Sequence, residues 1–268
     1  MRLTIEHAGL AILSGGLIGL ALGTTGGGGS LIAIPLLVYV LGMKVQPATV
    51  LSLMVVAASA LIGVYQRRAS GEVKVKPAVI FSVTGAVGAW VGAFGHRFVR
   101  EETVLLLFSV LMIVAAWRMW RSSGQSDGRF TGEGCAERFP RSCWVKVSLI
   151  GVGVGLLTGF FGVGGGFVIV PALALVLGFP MRMAVSTSLL IIALVAVGGF
   201  VGHLQTGQVD WPLTGLLLLG SAIGMSGGSW AARQVSLATL AKGFAAIAIG
   251  VTIVMIIHNG MKLFGGGV

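Results

Sequence analysis

The chain has 268 residues, of which 56% are hydrophobic and only 10% are charged, and its formal net charge is +10. A soluble domain of this size needs a more polar surface than this composition provides, so we predict a polytopic membrane protein in a lipid bilayer. The positive charge does not indicate nucleic-acid binding, because the basic residues lie in short loops between apolar segments, where they report topology and contact anionic lipids.

Ten apolar segments follow one another along the chain. In the first half they run over 8–23, 30–43, 47–66, 77–96 and 103–120. In the second half they run over 144–160, 166–180, 184–202, 212–231 and 237–257. The stretch between the halves is basic and rich in Gly and Ser, which predicts a flexible surface linker.

The two halves match each other at an offset of 136 residues, without a gap. The offset pairs two prolines, two serines and two arginines: Pro35 with Pro171, Ser52 with Ser188, and Arg97 with Arg233. Such a match predicts an internal duplication. We therefore predict a first repeat at 1–121, a cytoplasmic linker at 122–143 and a second repeat at 144–268.

Each repeat contains a glycine-rich break inside its apolar sequence. The first break runs over 26–30 and the second over 162–166. Consecutive glycines do not hold a helix, since each costs about 1 kcal/mol relative to Ala. In a bilayer the unpaired backbone groups of such a break survive only inside protein or beside a polar cavity. Two broken helices at equivalent positions predict a transporter's binding site.

Segment length predicts how the first two segments of each repeat are placed. At 13–17 residues each, they rise roughly 20–25 Å, which is less than the ~30 Å hydrocarbon core. We expect them to enter the membrane, meet at the break and return on the same side. The predicted fold is therefore all-α, with two repeats that each contain a broken re-entrant helix pair and three spanning helices.

Loop charge predicts that the repeats are inverted. The loop after the third segment contains four basic residues and one acid, namely Arg67, Arg68, Lys74, Lys76 and Glu72. Its counterpart contains His203 and Asp210 with no Lys or Arg, so we expect the first loop to be cytoplasmic and the second to face outside. In the alternative, each broken segment is one discontinuous crossing, which gives four spans and parallel repeats.

The breaks predict a site for a small anion. A helix that begins at a break presents unpaired N–H groups and partial positive charge, and glycine lets a ligand approach the backbone. Hydroxyl groups near the breaks complete the coordination. The predicted substrate-binding residues are Thr24, Thr25, Gly27, Gly28, Gly29, Ser30, Ser52, Gly164, Gly165, Gly166, Ser186, Thr187 and Ser188.

Other interpretations of these residues remain open. The serines and threonines are also typical of helix N-caps and of side chains bonded to the backbone. Glycines at small-xxx-small spacing are typical of close helix packing. We assign that role to Gly15, Gly19, Gly23, Gly88, Gly92, Gly151, Gly155, Gly159, Gly224 and Gly228.

The sequence lacks the marks of catalysis, so we predict no enzyme, no catalytic residue, no metal and no cofactor. It has no HExxH motif and no paired carboxylates. All acids lie outside the apolar segments, and His96 and His203 stand near segment ends, where we expect interfacial roles. Cys135 and Cys143 fit no metal-site spacing, and we expect them to be thiols without a function.

Two motifs resemble the TauE/SafE sulfite exporter family. The first is a glycine-rich break followed by apolar residues and a proline, at 26–35 and 162–171. The second is Ala-x-x-x-Ser-Leu, at 48–53 and 184–189. The first copy of this motif departs from the family pattern, because Val50 and Leu51 stand where the second has Ser186 and Thr187.

The resemblance implies transport of a sulfur-containing anion, such as sulfite, thiosulfate or a sulfonate, across a bacterial inner membrane. A secondary carrier is the leading hypothesis. A passive anion channel and an auxiliary membrane subunit are the alternatives. The sequence predicts neither the direction of transport nor an oligomeric state.

Overall fold

The computed structural model describes residues 5–96, 141–161, 166–203 and 210–234, and these ranges are helical with no strand. Their α-helices are α1 Ile5–Thr25, α2 Gly28–Pro35, α3 Val45–Arg67, α4 Val75–His96, α5 Arg141–Phe161, α6 Gly166–Pro171, α7 Met181–His203 and α8 Trp211–Gln234. The predicted segments at 103–120 and 237–257, most of the linker, and Gly164 and Gly165 lie outside the described residues.

Among the described residues, five helical stretches are long and apolar enough to cross a membrane. They are Ala8–Thr25, Pro47–Arg67, Val75–Gly92, Met181–Phe200 and Trp211–Gln234. Their lengths match the roughly 20 apolar residues that a spanning helix requires. The prediction of an all-α polytopic membrane protein is confirmed.

Helix α1 is longer than the apolar segment that predicted it. It has 21 residues, which at 1.5 Å per residue correspond to roughly 31 Å. The argument that this segment is too short to cross was therefore wrong. The helix extends past Gly23 because threonine hydroxyls bond to the preceding turn: Thr24 Oγ1 donates to Leu20 O at 2.9 Å and Thr25 Oγ1 donates to Ala21 O at 2.6 Å. This bonding lets polar residues continue an apolar helix.

The two prolines end α2 and α6 in the same way. Pro35 and Pro171 are followed by π-helical turns at Leu36–Val40 and Ala172–Val176. Proline lacks the N–H that the α-helical bonding pattern needs, which favours a wider turn. Each turn then leads to a glycine with positive φ, +64° at Gly42 and +69° at Gly178. The chain reverses at both positions and enters the next long helix.

The described elements recur at the offset of 136 residues seen in the sequence. The offset carries both bounds of α1 onto α5, both bounds of α3 onto α7, and the first residue of α4 onto that of α8. The helix contacts are reciprocal as well: α1 packs on α8 while α5 packs on α4, and the matching pairs α3 with α7 and α2 with α6 contact each other.

Glycines bring α1 and α8 into backbone contact. A Cβ at Gly15 or Gly19 would collide with the carbonyl oxygens of Leu217 and Ser221. Nearer the end of α1, a Cβ at Gly23 would lie only 2.7 Å from the carbonyl oxygen of Met225. Because the contacts advance in the same order on both helices, α1 and α8 run parallel.

Helices α4 and α5 pack in the same manner. A Cβ at Gly88 would collide with Val152 O, one at Gly151 with Thr84 Oγ1, and one at Gly155 with Gly85 O. These contacts also advance together, so α4 and α5 run parallel. The predicted packing role is confirmed for Gly15, Gly19, Gly23, Gly88, Gly151, Gly155, Gly224 and Gly228.

The last turns of α1, α3 and α8 lie at one end of the bundle, together with the first turns of α4, α5 and α7. We call this end the Arg67 end. Arg67 Nη2, at the end of α3, donates to Gly23 O in the last part of α1 at 2.6 Å. The Lys74 N–H donates to Thr187 Oγ1 of α7 at 3.2 Å. Arg182 Nη2 donates to Arg233 O at 3.4 Å, which joins the start of α7 to the end of α8. At this end α3 terminates and its counterpart α7 begins.

We predict that Gly224→Ala lowers the melting temperature of the detergent-solubilised protein. A Cβ at Gly224 would collide with the backbone of Gly16, and overpacking typically costs about 1–3 kcal/mol. The measurement is a thermal unfolding curve against wild type.

Gly227→Ala is the matched control on the same helix, because a Cβ there meets nothing within 4 Å. Its melting temperature should equal or exceed that of wild type, since Ala is a better helix former than Gly by about 1 kcal/mol. Equal melting temperatures for the two variants would contradict the packing role.

Candidate functional site

The first break reverses the chain between α1 and α2. Gly26 has φ +73°, a conformation that favours glycine over residues with a side chain. A Cβ on Gly29 would lie 2.5 Å from Ile18 O and 2.7 Å from Leu22 Cβ, so α2 runs back along α1. Residues 26–30 are all buried. The break is therefore enclosed by protein, as an interrupted backbone at membrane depth requires.

Side-chain hydroxyls form hydrogen bonds with some of the backbone groups of this break. Thr25 Oγ1 accepts a hydrogen bond from the Gly28 N–H at 2.8 Å. Ser30 Oγ donates to Gly27 O at 2.8 Å. The Gly28 N–H is therefore capped by the protein, and Thr25 is a capping residue. The N–H groups of Gly29 and Ser30 come next in the first turn of α2, where helix geometry provides no intrahelical acceptor.

The two breaks meet at Ser30 and Gly166. Gly166 is the first described residue after the second break, and a Cβ there would lie 2.5 Å from Ser30 Oγ and 3.0 Å from Ile192 Cδ1. Helices α2 and α6 contact each other around this point. We call this contact the break junction. Gly164 and Gly165, which were predicted to contribute, lie outside the described residues.

The three consecutive hydroxyls of α7 are fully buried and have different partners. Ser188 Oγ donates to Gly26 O at 2.9 Å and is the member that contacts the first break. Ser186 Oγ donates to Glu72 Oε2 at 3.0 Å. Thr187 Oγ1 bonds to the backbone of the loop between α3 and α4. Of these three hydroxyls, that of Ser188 is the one bonded to the first break, and the prediction that all three contribute to anion coordination stays a prediction.

Two other predicted residues bond within their own helices. Ser52 Oγ donates to Thr49 O at 2.8 Å, and Thr24 Oγ1 donates to Leu20 O. Ser52 lies in the first turns of α3, whereas Arg67 ends that helix. Ser52 is thus displaced along α3 from the Arg67 end, and its hydroxyl is not joined to Ser186 or Ser188.

Arg67 is a site residue that sequence reasoning placed in a loop. It belongs to the last turn of α3 and is only 5% exposed. Its Nη2 donates to Gly23 O at 2.6 Å and its Nη1 donates to Ser186 Oγ at 3.4 Å. Its Nε is buried and has no hydrogen-bond partner among the residues that the structure describes. The sequence offered one signal: the repeat offset pairs Arg67 with His203, so both copies carry a basic residue there.

Further charged groups surround the Arg67 guanidinium. Arg233 Nη2 donates to Gln66 O at 2.8 Å, and Arg182 donates to Arg233 O. Glu72 is the acid in this group, and it reaches Arg67 through the Ser186 hydroxyl. Among the described residues, the charged groups that act on Arg67 are thus Arg182, Arg233 and the carboxylate of Glu72. Such a surplus of positive charge attracts anions.

The described residues contain no group of three or more His, Cys, Asp or Glu that could hold a metal ion. Cys143 is disulfide-bonded, so the expectation that it is a thiol was wrong. The side chains of His96 and His203 lie outside the described residues, and their predicted interfacial roles stay predictions.

Comparison with known proteins gives a consistent family assignment. The chain is 33% identical over 259 residues to a probable membrane transporter protein of Xylella fastidiosa strain 9a5c, which covers 95% of this chain and 97% of that protein. It is 28% identical over 221 residues to the probable membrane transporter protein YdhB of Bacillus subtilis strain 168, covering 80% of this chain and 86% of the relative. No solved structure matches the chain.

The family model described as sulfite exporter TauE/SafE matches residues 11–255, which is nearly the whole chain. Together with the five apolar helices that are long enough to cross a membrane, this match shows that the chain is a multi-pass membrane protein belonging to the TauE/SafE family of membrane transporters.

Proposed function

We propose that this protein carries a small sulfur-containing oxyanion, such as sulfite, thiosulfate or a short sulfonate, across a bacterial inner membrane. The observation that carries the proposal is the break junction, where Ser30 and Gly166 bring two interrupted helices together in a buried position. The family's description as a sulfite exporter supports the chemical class of the substrate.

The chemistry of the junction suits an oxyanion. The Gly29 and Ser30 N–H groups stand at the start of α2, where the helix dipole favours negative charge. Glycine at position 166 lets the second break approach the Ser30 hydroxyl closely, since a Cβ there would lie 2.5 Å from Ser30 Oγ. Hydrogen bonds to a charged ligand contribute about 1.5–3 kcal/mol each. A few such donors hold an oxyanion even though the junction itself contains no charged side chain.

We propose a carrier because its candidate site is buried. A passive channel needs a continuous polar path, whereas residues 26–30 and 186–188 are buried within the protein. Alternating access to an occluded site between two repeats is typical of secondary transporters. No catalytic role is part of the proposal.

We also propose that the two repeats are inverted in the membrane. The helix directions at the Arg67 end support this: α1, α3 and α8 end there, while α5, α7 and α4, their counterparts in the other repeat, begin there. Loop charge places this end in the cytoplasm.

Gly166→Ala should abolish thiosulfate transport and weaken thiosulfate binding while leaving the fold intact. The added methyl group would collide with Ser30 Oγ and with the end of the Ile192 side chain, which displaces Ser30 at the α2 N-terminus. We expect loss of thiosulfate counterflow in proteoliposomes and a smaller thiosulfate-induced thermal stabilisation in detergent.

Gly198→Ala on α7 is the control, because a Cβ there meets nothing within 4 Å, and it should behave as wild type. If Gly166→Ala binds thiosulfate with wild-type affinity, the anion does not occupy the break junction. Thiosulfate flux in wild-type vesicles without saturation or counterflow would instead identify a passive channel.

The proposed topology predicts opposite accessibility for two loops. In a variant whose two natural cysteines are replaced by serine, Ser70→Cys should react with a membrane-impermeant maleimide only from the cytoplasmic side. Gln208→Cys should react only from outside, because inverted repeats place equivalent loops on opposite faces. Labelling of both positions from the same side would establish parallel repeats. Opposite labelling with Ser70→Cys accessible from outside would reverse the assigned orientation.

A further inference from the structure

Two buried hydrogen-bond donors beside Gly23 have no partner within the part of the chain that the structure describes. One is Nε of Arg67, whose Nη2 is bonded to Gly23 O. The other is Oγ of Ser229, a residue of α8 that is 2% exposed and whose backbone N would lie 2.9 Å from a Cβ at Gly23. Leaving a buried donor unpaired typically costs 1–3 kcal/mol. Two of them around one residue indicate a position built for a ligand with acceptor atoms.

The charge of Arg67 indicates the kind of ligand. A buried guanidinium at the end of a membrane-spanning helix needs a compensating negative charge. Its planar fork of N–H groups matches the spacing of oxygens in a carboxylate or another oxyanion. In the structure the compensating group is Glu72, which does not bond to Arg67 directly but through the hydroxyl of Ser186.

We propose that Arg67 and Ser186 form an oxyanion subsite at the Arg67 end, and that the transported anion displaces Glu72 from it. This inference rests on the proposed function, since it assumes that the protein carries a small oxyanion. The arriving anion accepts hydrogen bonds from the Ser186 hydroxyl and the Arg67 guanidinium. An anionic ligand replaces a carboxylate, so Arg67 keeps a counter-charge throughout the exchange.

The exchange also changes how the loop between α3 and α4 is attached. Two contacts fasten this loop to the first turns of α7: the carboxylate of Glu72 on Ser186, and the backbone of residues 72 and 74 on Thr187. Displacement of Glu72 removes the first contact. Gly71, with φ +67° and open space around its Cα, provides the hinge about which the loop moves. Anion binding therefore loosens the loop that covers this end.

The test measures binding of sodium thiosulfate to the purified full-length protein by calorimetry and by thermal shift. Arg67→Gln and Ser186→Ala each remove a donor to a charged ligand, so affinity should fall roughly ten- to hundredfold for each variant. Glu72→Gln removes the competing charge, so affinity should rise. The same variant should have a lower melting temperature without anion and a larger thiosulfate-induced shift, because Arg67 then lacks a counter-charge.

Arg68→Gln is the matched control. It removes the same charge one residue further on, where Arg68 is exposed and stacks over the Tyr65 ring with its guanidinium carbon 4.0 Å from the centroid. Its thiosulfate affinity should equal that of wild type. An equal loss of affinity in Arg68→Gln and Arg67→Gln would mean that only the general positive field matters, which would overturn the subsite.

The remaining outcomes are distinct. If Glu72→Gln binds thiosulfate with unchanged or lower affinity, the proposed exchange is overturned. If Ser186→Ala binds thiosulfate with wild-type affinity, the subsite is overturned, even when Arg67→Gln fails to fold. In both cases weaker binding in Gly166→Ala leaves the proposed function standing. If wild-type protein binds none of thiosulfate, sulfite and methanesulfonate, the proposed function itself fails.

Discussion

The need to satisfy an interrupted backbone inside the membrane governs this structure. A helix that breaks at glycines exposes N–H and C=O groups that lipid does not bond. Here the protein supplies the partners: the Thr25 hydroxyl caps Gly28, and Ser30 and Ser188 bond to the carbonyls of Gly27 and Gly26. The enclosure that satisfies these groups is also what a small-anion site requires, since the same helix start attracts negative charge. The residual N–H groups of the break are then available to a ligand.

Close helix packing makes that enclosure possible. The glycines of α1 and α8 let the two backbones touch, and those of α4 and α5 do the same. In lipid, where apolar side chains gain little by leaving the solvent, such contact is a main source of association between helices. Each pair joins a helix of one repeat to a helix of the other. The first break is therefore held by elements from both repeats, and motion of one repeat against the other acts directly on it.

Periodicity and composition predicted most of the architecture, because the duplication leaves repeated glycines and prolines at a fixed offset. The same reasoning underestimated α1, because hydropathy does not register threonines whose hydroxyls bond to the preceding turn. For the candidate site, the motifs identify the broken helices, and Ser30, Ser188 and Gly166 lie near the first break. Arg67 was placed in a loop, because a basic residue after an apolar run has the same sequence pattern whether it is buried or solvated. Its burial depends on tertiary packing, which the sequence pattern does not report.

The group around Arg67 also distinguishes the two repeats. At the offset of 136 residues, Arg67 corresponds to His203, Glu72 to Gln208 and Ser186 to Val50. The buried guanidinium, its carboxylate and the hydroxyl between them thus belong to one end of the bundle, while both glycine breaks are retained. A carrier with strictly equivalent ends would treat the anion alike from both sides of the membrane. Placing a charged exchange pair at one end makes entry and release there depend on competition between the substrate and Glu72. In the sequence of the other repeat, Gln208 stands at the position of Glu72 and carries no competing charge. Under the proposed exchange, the two half-reactions of transport therefore differ although the repeats that support them are duplicated.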